Sequence, residues 1–284
     1  MYDAAIIGTG PAGLSAAINL KLHNRSFLWF GSVNLSDKVE KSEKIANYPG
    51  LEMVSGAQLN QHFRSQIQSM ELPITDRMVT NIMPLGDGYA LLADNEIFEA
   101  KTVLFAIGAV SGKGLPGEQE FLGRGVSYCA TCDGFLYRGK TIAVLCAAKR
   151  YEHEIAYLAG IAGKVYLHTT YPDSEITLPN VERLPAPVRA VCGDKRVNGI
   201  TLTDGSSVDV QGMFILRSAV APATLLPGLA MDGPHIQVDR SGKTNLPGCY
   251  AAGDCTGRPY QLAKAVGEGN TAAHAILEYL SEQG

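Results

Sequence analysis

The chain opens on four consecutive apolar residues, Ala4-Ala5-Ile6-Ile7, a pattern that suits a strand buried on both faces. A helical pattern over residues 14–22 and a second apolar run, Phe27-Leu28-Trp29-Phe30, follow it. The hydrophobic signal then lapses. Residues 33–50 are polar and charged, with Lys38, Glu40, Lys41, Glu43 and Lys44, and read as a loop that either covers a ligand or simply connects. Over 58–70 the signal returns at helical spacing, placing Leu59, Phe63, Ile67 and Met70 on one face. Three short runs, 79–82, 89–92 and 97–100, have strand character with polar or glycine breaks between them and predict a small antiparallel meander. Residues 102–109 form another buried strand closed by glycine, and 141–145 and 213–216 are strands of the same kind. Near the end, 245–254 delivers a strand into Gly253-Asp254, and a helix runs from about 263 to 280.

Length and composition narrow the class. At 284 residues the chain has room for two domains, and 46 % hydrophobic against 18 % charged residues gives a large core. A net charge of −4 argues against wholesale nucleic-acid binding. No apolar run reaches the ~18 residues of a membrane span. The N-terminus enters a strand pattern at once, so no signal peptide is expected. Six cysteines do not resemble a secreted disulfide framework, which makes a reducing cytoplasm the expectation.

The first chemistry lies between the first strand and the first helix, in Gly8-Thr9-Gly10-Pro11-Ala12-Gly13. In this GxGxxG the first glycine permits a tight turn, the second lets a pyrophosphate approach the backbone, and the third lets helix pack on strand. The helix N-terminus then presents its partial positive charge to the phosphates. The second strand ends in Gly31-Ser32, where the nicotinamide fingerprint has an acidic ribose ligand. Its absence favours a flavin dinucleotide, with Ser32 or backbone amides at the ribose.

The second chemistry is Cys129-Ala130-Thr131-Cys132-Asp133. A CxxC pair lowers the pKa of one thiol, and thiolate is the species that attacks a disulfide. The adjoining carboxyl of Asp133 can give or take the proton. Competing readings are half of a zinc site and a chance pair on a loop. Zinc takes four ligands as a rule, there is no second CxxC or CxxH, and neither His153 nor His168 has ligand spacing to the pair. A redox-active disulfide is the better reading.

Taken in order, GTGPAG, CATCDG and the ending AAGD…YQLAKAVGEG resemble the low-molecular-weight thioredoxin reductase family over essentially the whole chain. The resemblance implies an α/β fold of two Rossmann-like nucleotide-binding domains, the second inserted into the first. Residues 1–112 and 241–284 would bind FAD, and 113–240 would carry the disulfide, usually in a homodimer. It also implies FAD contacts at Gly8, Gly10, Pro11, Ala12, Gly13, Gly31, Ser32, Asn47, Val79, Ala106, Gly108, Asp254, Gln261, Leu262 and Ala263. Cys132 would sit by the flavin as a thiolate, Cys129 would attack the substrate disulfide, and Asp133 would handle the proton.

The chain departs from that family where the inserted domain should carry GxGxxA for NADPH. After the strand 141–145 the turn reads Cys146-Ala147-Ala148-Lys149-Arg150-Tyr151, altering all three small positions. A Cβ at a position needing positive φ costs energy, and a side chain at the second position blocks the pyrophosphate. Where the family clamps the 2′-phosphate with His-Arg-Arg, this chain has His168-Thr169-Thr170, and the strand 213–216 ends in Arg217-Ser218-Ala219 instead of a glycine and a histidine. The pyridine-nucleotide-independent branch, the ferredoxin-dependent flavin thioredoxin reductases, has this kind of loss. The expected function is therefore a disulfide reductase passing electrons from reduced ferredoxin through FAD and Cys129–Cys132 to thioredoxin or a thioredoxin-like protein. Three alternatives stay open: an NADPH enzyme with an atypical pocket, a diflavin disulfide oxidoreductase, and a flavin-containing sensor whose disulfide is structural. Basic and acidic residues balance over 113–240, yet within 124–150 Arg124, Arg138, Lys140, Lys149 and Arg150 face only Asp133, a surface suited to an acidic partner if the charges are not merely solvated. Cys146, Cys192, Cys249 and Cys255 read as structural thiols, Cys255 the least clearly because it adjoins Asp254.

Overall fold

In the computed structural model the described residues are 1–94, 96–109, 114–118, 120–128, 130–217 and 221–283, without the side chain of Cys132. The chain starts with β1 (Tyr2–Ile7), α1 (Pro11–Leu22) and β2 (Phe27–Phe30), then the short α2 (Asp37–Glu40) and the longer α3 (Gly56–Ser69). Strands β3 (Val79–Leu85), β4 (Gly88–Ala93) and β5 (Glu96–Phe105) follow. Next come β6 (Val126–Ser127), the single turn α4 (Ala130–Asp133), β7 (Thr141–Cys146), α5 (Glu152–Ala159), β8 (Lys164–Thr169) and β9 (Val181–Arg183). A hairpin series β10 (Val188–Gly193), β11 (Val197–Leu202) and β12 (Ser207–Asp209) precedes β13 (Gly212–Leu216). The chain ends with α6 (Pro222–Leu225), β14 (Met231–Asp232), β15 (His235–Ile236), β16 (Cys249–Ala251) and α7 (Leu262–Glu282).

These elements form two compact units, residues 1–111 with 221–284, and residues 112–220. In the first unit the sheet order is β2-β1-β5-β4-β3, with β16 also pairing β5. Strands β2, β1, β5 and β16 run parallel, while β3, β4 and β5 form the antiparallel meander read from the sequence. The two apolar runs at 97–100 and 102–109 are one strand: β5 pairs β4 through its first half and β1 through its second, so no break is needed between them. Ala4 and Ile6 of β1, Trp29 of β2 and Leu104 of β5 form one buried core with α1 and α7.

The second unit has an all-parallel sheet, β6-β13-β7-β8-β9, and a separate antiparallel sheet, β10-β11-β12. Parallel strands covered on both faces require the near-continuous apolar sequences found here. Ile142, Val144, Val165, Leu167, Phe214 and Leu216 are all at most 1 % exposed. Both units are thus Rossmann-like α/β layers. Residues 221–240, which the sequence reading assigned to the insert, belong to the first unit. The reason is local: α6 packs on β3, β14 and β15 make their own hairpin, and Asn245 ties the segment down by accepting from the Ala230 amide at 2.8 Å and donating to the Gly228 carbonyl at 2.9 Å. Among the described residues no helix is long and apolar enough to cross a membrane.

Candidate functional site

The glycine turn of the first unit is built by exclusion. Gly8 has φ +113°, and a Cβ there would overlap the Ala106 carbonyl; a Cβ on Gly13 would overlap the Gly8 carbonyl. These two glycines let β1, β5 and α1 touch through backbone. Gly10 is different, since its φ is −75° and a Cβ would meet nothing within 4 Å. The open space lies at the N-cap of α1, which has no side-chain cap, so the first-turn amides are left to a ligand. Gly31, with φ +142°, packs against Thr9, and the Thr9 hydroxyl donates to the Ser32 carbonyl at 2.8 Å, closing the end of β2 onto the turn.

The chain's return supplies the other wall. A Cβ on Gly269 would overlap the Ala12 carbonyl, which is why α7 can lie along α1 through the Gly267-Glu268-Gly269 stretch. Gly253, φ +88°, is in contact range of both Ala12 and Ala265, so the starts of α1 and α7 meet beside Asp254. The N-cap of α7, Gln261, also lacks a side-chain cap, and its Oε1 accepts from Asn47 Nδ2 at 2.8 Å. Two uncapped helix starts and a carboxylate beside a glycine thus share one corner of the unit. Such a donor set fits a dinucleotide, with amides for phosphate and Asp254 for a hydroxyl. Leu262 and Ala263 open α7, Gly108 (φ +73°) follows β5, and Val79 is buried at the start of β3.

Three residues here lie beyond the site residues expected from sequence. Lys38, in the polar loop, pairs with Asp254 and lies 4.9 Å from the centre of the Tyr260 ring. Lys264 and Glu268, a helical i,i+4 pair at 2.9 Å, bind the Gly253–Thr256 turn: Glu268 accepts from the Gly253 amide and the Thr256 hydroxyl, and Lys264 donates to the Gly253 carbonyl. Their i,i+4 spacing on the terminal helix was the signal available.

In the second unit Cys129 and the side chain of Cys132 lie outside the described residues, so the proposed pair is placed only by its flanks. Tyr128 closes the segment that follows β6, and Asp133 ends α4 and leads into a 3-10 turn, Gly134–Tyr137. Gly134 packs directly on Leu158 and Tyr157 of α5, and the Tyr137 ring packs on Gly212 and, edge-on at 5.2 Å, on Phe214 of β13. Burial, and the nearby Asp133 charge, push the Tyr137 phenol up. Phe135 and Leu136, on that turn, are 59 % and 49 % exposed. The described thiols are unlike a reactive pair. Cys146, Cys192, Cys249 and Cys255 are free, and burial pushes Cys249 and Cys255 up to about 12 and raises Cys146.

The turn after β7 is occupied by the protein itself. Cys146 is fully buried, and its carbonyl accepts from the Thr170 amide at 3.0 Å. The Tyr171 hydroxyl sits 3.8 Å from Cys146 Sγ and donates to Glu152 Oε1 at 2.8 Å. Glu152 is the first residue of α5, so a carboxylate stands at the helix start where a pyrophosphate would bind. Burial opposes its ionisation, but the Tyr171 hydrogen bond and the Lys149 charge hold it below the usual carboxylate range. Lys149 is itself paired with Glu175 at 2.8 Å. The segment after β8 is thereby latched over the turn.

The pyridine nucleotide-disulphide oxidoreductase family model matches residues 2–147 and 182–269. A thioredoxin reductase from Helicobacter pylori is 33 % identical, with 99 % of each chain covered. An NADH dehydrogenase from Bacillus subtilis is 31 % identical over 98 % of this chain and 58 % of its own length. Among solved structures, a ferredoxin-flavin thioredoxin reductase from Clostridium acetobutylicum is 42 % identical, with a TM-score of 0.93 and 99 % and 98 % of the two chains covered. With its glycine turn, its returning α7 and both units matched in one order, the chain belongs to the pyridine nucleotide-disulphide oxidoreductase family.

Proposed function

We propose that this chain is a flavin-dependent disulfide reductase that takes single electrons from reduced ferredoxin and delivers a pair, through FAD and a Cys129–Cys132 disulfide, to thioredoxin or a thioredoxin-like protein. The observation that carries the choice of donor is the latched turn of the second unit. Glu152 stands at the start of α5 with its carboxylate held by Tyr171, where a pyridine dinucleotide needs bare backbone for its pyrophosphate, and Lys149 beside it is paired with Glu175. The likeness to the ferredoxin-flavin enzyme supports the same reading.

FAD would lie in the corner of the first unit, with its pyrophosphate on Gly10, Pro11, Ala12 and Gly13 and its polyol on Asp254. Gly31 and Ser32 would serve the adenosine end, and Asn47, Val79, Ala106, Gly108, Gln261, Leu262 and Ala263 would line the rest. Bound there, a flavin couples one-electron donors to two-electron disulfide chemistry. The chain's own residues do the rest. Cys129, as thiolate, attacks the partner disulfide and forms a mixed disulfide, releasing one partner thiolate. Cys132 then attacks Cys129 Sγ, which frees the second partner thiolate and restores Cys129–Cys132. Two electrons and two protons reach the partner, and Asp133 passes the protons. The reading places the enzyme in the cytoplasm as a homodimer.

Anaerobic reduction of the flavin by NADPH, NADH and reduced ferredoxin, run in parallel, tests this. Ferredoxin is expected to bleach the flavin and support thioredoxin reduction, and both nicotinamides to leave it oxidised. Rapid stoichiometric bleaching by NADPH alone sinks the reading.

A further inference from the structure

The second unit holds a buried carboxylate that the proposed mechanism does not use. Glu118 is 2 % exposed and lies in the segment before β6. Its Oε2 accepts from the Leu115 amide at 2.7 Å, and its Oε1 accepts from the Tyr128 hydroxyl at 2.6 Å and from Arg217 Nη2. The Arg217 guanidinium also lies 5.4 Å from the centre of the Tyr128 ring, itself 4 % exposed. Three separate pieces of chain therefore meet at one carboxylate: the entry segment, the residue before Cys129, and the end of β13. Burying a carboxylate and a guanidinium is costly unless their polar atoms are paired; both Glu118 oxygens are, whereas Arg217 Nε is buried without a hydrogen-bond partner, so the pair rests on its Nη2 contact. Such a network holds one arrangement firmly, because losing any member strands a buried polar group.

We infer that Glu118, Tyr128 and Arg217 are positioning residues for the redox pair. Tyr128 is joined to Cys129 by one peptide bond, so fixing its hydroxyl and its ring fixes the backbone from which Cys129 projects. Arg217 follows the end of β13, the strand that pairs with both β6 and β7, and so ties Tyr128 to the parallel sheet. A nucleophile displaced by about 1 Å from an attack line can lose as much as 10²-fold in rate. The network therefore acts on the speed of disulfide exchange rather than on cofactor binding, whose proposed residues lie in the other unit.

The inference rests on Cys129–Cys132 being redox-active, but its test needs neither ferredoxin nor thioredoxin. Pre-reduced holoenzyme is mixed with a small aromatic disulfide, and thiolate release is followed against pH. Wild-type protein showing no fast exchange would count against the functional reading; the comparison of variants addresses the network. Tyr128→Phe, which removes one oxygen, and Glu118→Ala are expected to slow exchange tenfold or more in protein that still folds and binds FAD. Glu118→Gln, whose single carbonyl oxygen still accepts from Tyr128 and Arg217 while its NH2 faces the Leu115 amide, is expected to recover part of that loss. Folded Tyr128→Phe exchanging at the wild-type rate overturns the inference, as does Glu118→Gln proving no better than Glu118→Ala. Should Tyr128→Phe not fold, Arg217→Lys carries the comparison, since an ammonium cannot reproduce the planar fork. An unchanged exchange rate in that variant is equally fatal.

Discussion

Gly10 and Gly13 stand three residues apart in one motif, yet the structure gives them unrelated work. A Cβ at Gly13 would run into the Gly8 carbonyl, whereas one at Gly10 would point into open space. Gly13→Ala is therefore an overpacking change, expected to cost about 1–3 kcal/mol and to lower the melting temperature of the apoprotein by several degrees. Gly10→Ala keeps an allowed φ of −75° and is expected to leave the apoprotein's melting unchanged while weakening FAD retention tenfold or more. Differential scanning fluorimetry with and without FAD separates the two. Equal FAD retention in Gly10→Ala and wild type would remove the phosphate from that corner. Gly13 was legible because backbone contact leaves no other residue choice, and Gly10 because the motif reserves its open side for a phosphate. Lys38 and Glu118 were not legible. Their partners, Asp254, Tyr128 and Arg217, lie 10 to 216 positions away, and no local pattern encodes a pairing made by the tertiary fold.

The turn between β7 and α5 shows the same limit at the level of elements. Its sequence reveals that small residues are missing; it does not reveal what replaces the ligand. Tyr171, two residues beyond β8, and Glu175 come from the segment that connects β8 to β9. A nucleotide-binding helix start offers amides to a phosphate, and here Glu152 sits at that start with its carboxylate held by Tyr171. Restoring the three small residues by Cys146→Gly, Ala148→Gly and Tyr151→Ala should accordingly not create a nicotinamide site, because the acidic group and the latched segment remain. NADPH titration of that variant, followed by flavin absorbance, is expected to show no bleaching. Stoichiometric bleaching would mean that the missing glycines alone, and not the latch, determine the loss. The runs at 27–30, 141–145 and 213–216 are strands as expected, since runs buried on both faces declare themselves, whereas β8 to β12 were not expected. The merger of two runs into β5 was missed, because a strand that changes partner midway has no reason to break its sequence.

At the scale of the whole molecule the question is how a chain of net charge −4 would receive the acidic protein partner proposed for it. Charge-balanced counting pointed to a basic stretch at 124–150, and the structure reduces it. Lys149 is neutralised by Glu175, and Arg124 is turned onto the Glu120 carbonyl and the Phe121 ring. Arg138 and Lys140 stay exposed, at the end of the turn that presents Phe135 and Leu136. An apolar centre beside two cations is the composition of a protein-docking patch, in which burial supplies affinity and the charges supply rate. Charges that are exposed act over roughly one Debye length, about 10 Å at 0.1 M salt, and fade at higher ionic strength. Arg138→Glu with Lys140→Glu is therefore expected to raise KM for an acidic thioredoxin about tenfold at low salt and to converge on wild type near ~0.5 M, with kcat little changed. Steady-state kinetics across a salt series measures it. A salt-independent deficit would assign the two residues to folding, and no deficit at low salt would move the docking surface elsewhere on the chain.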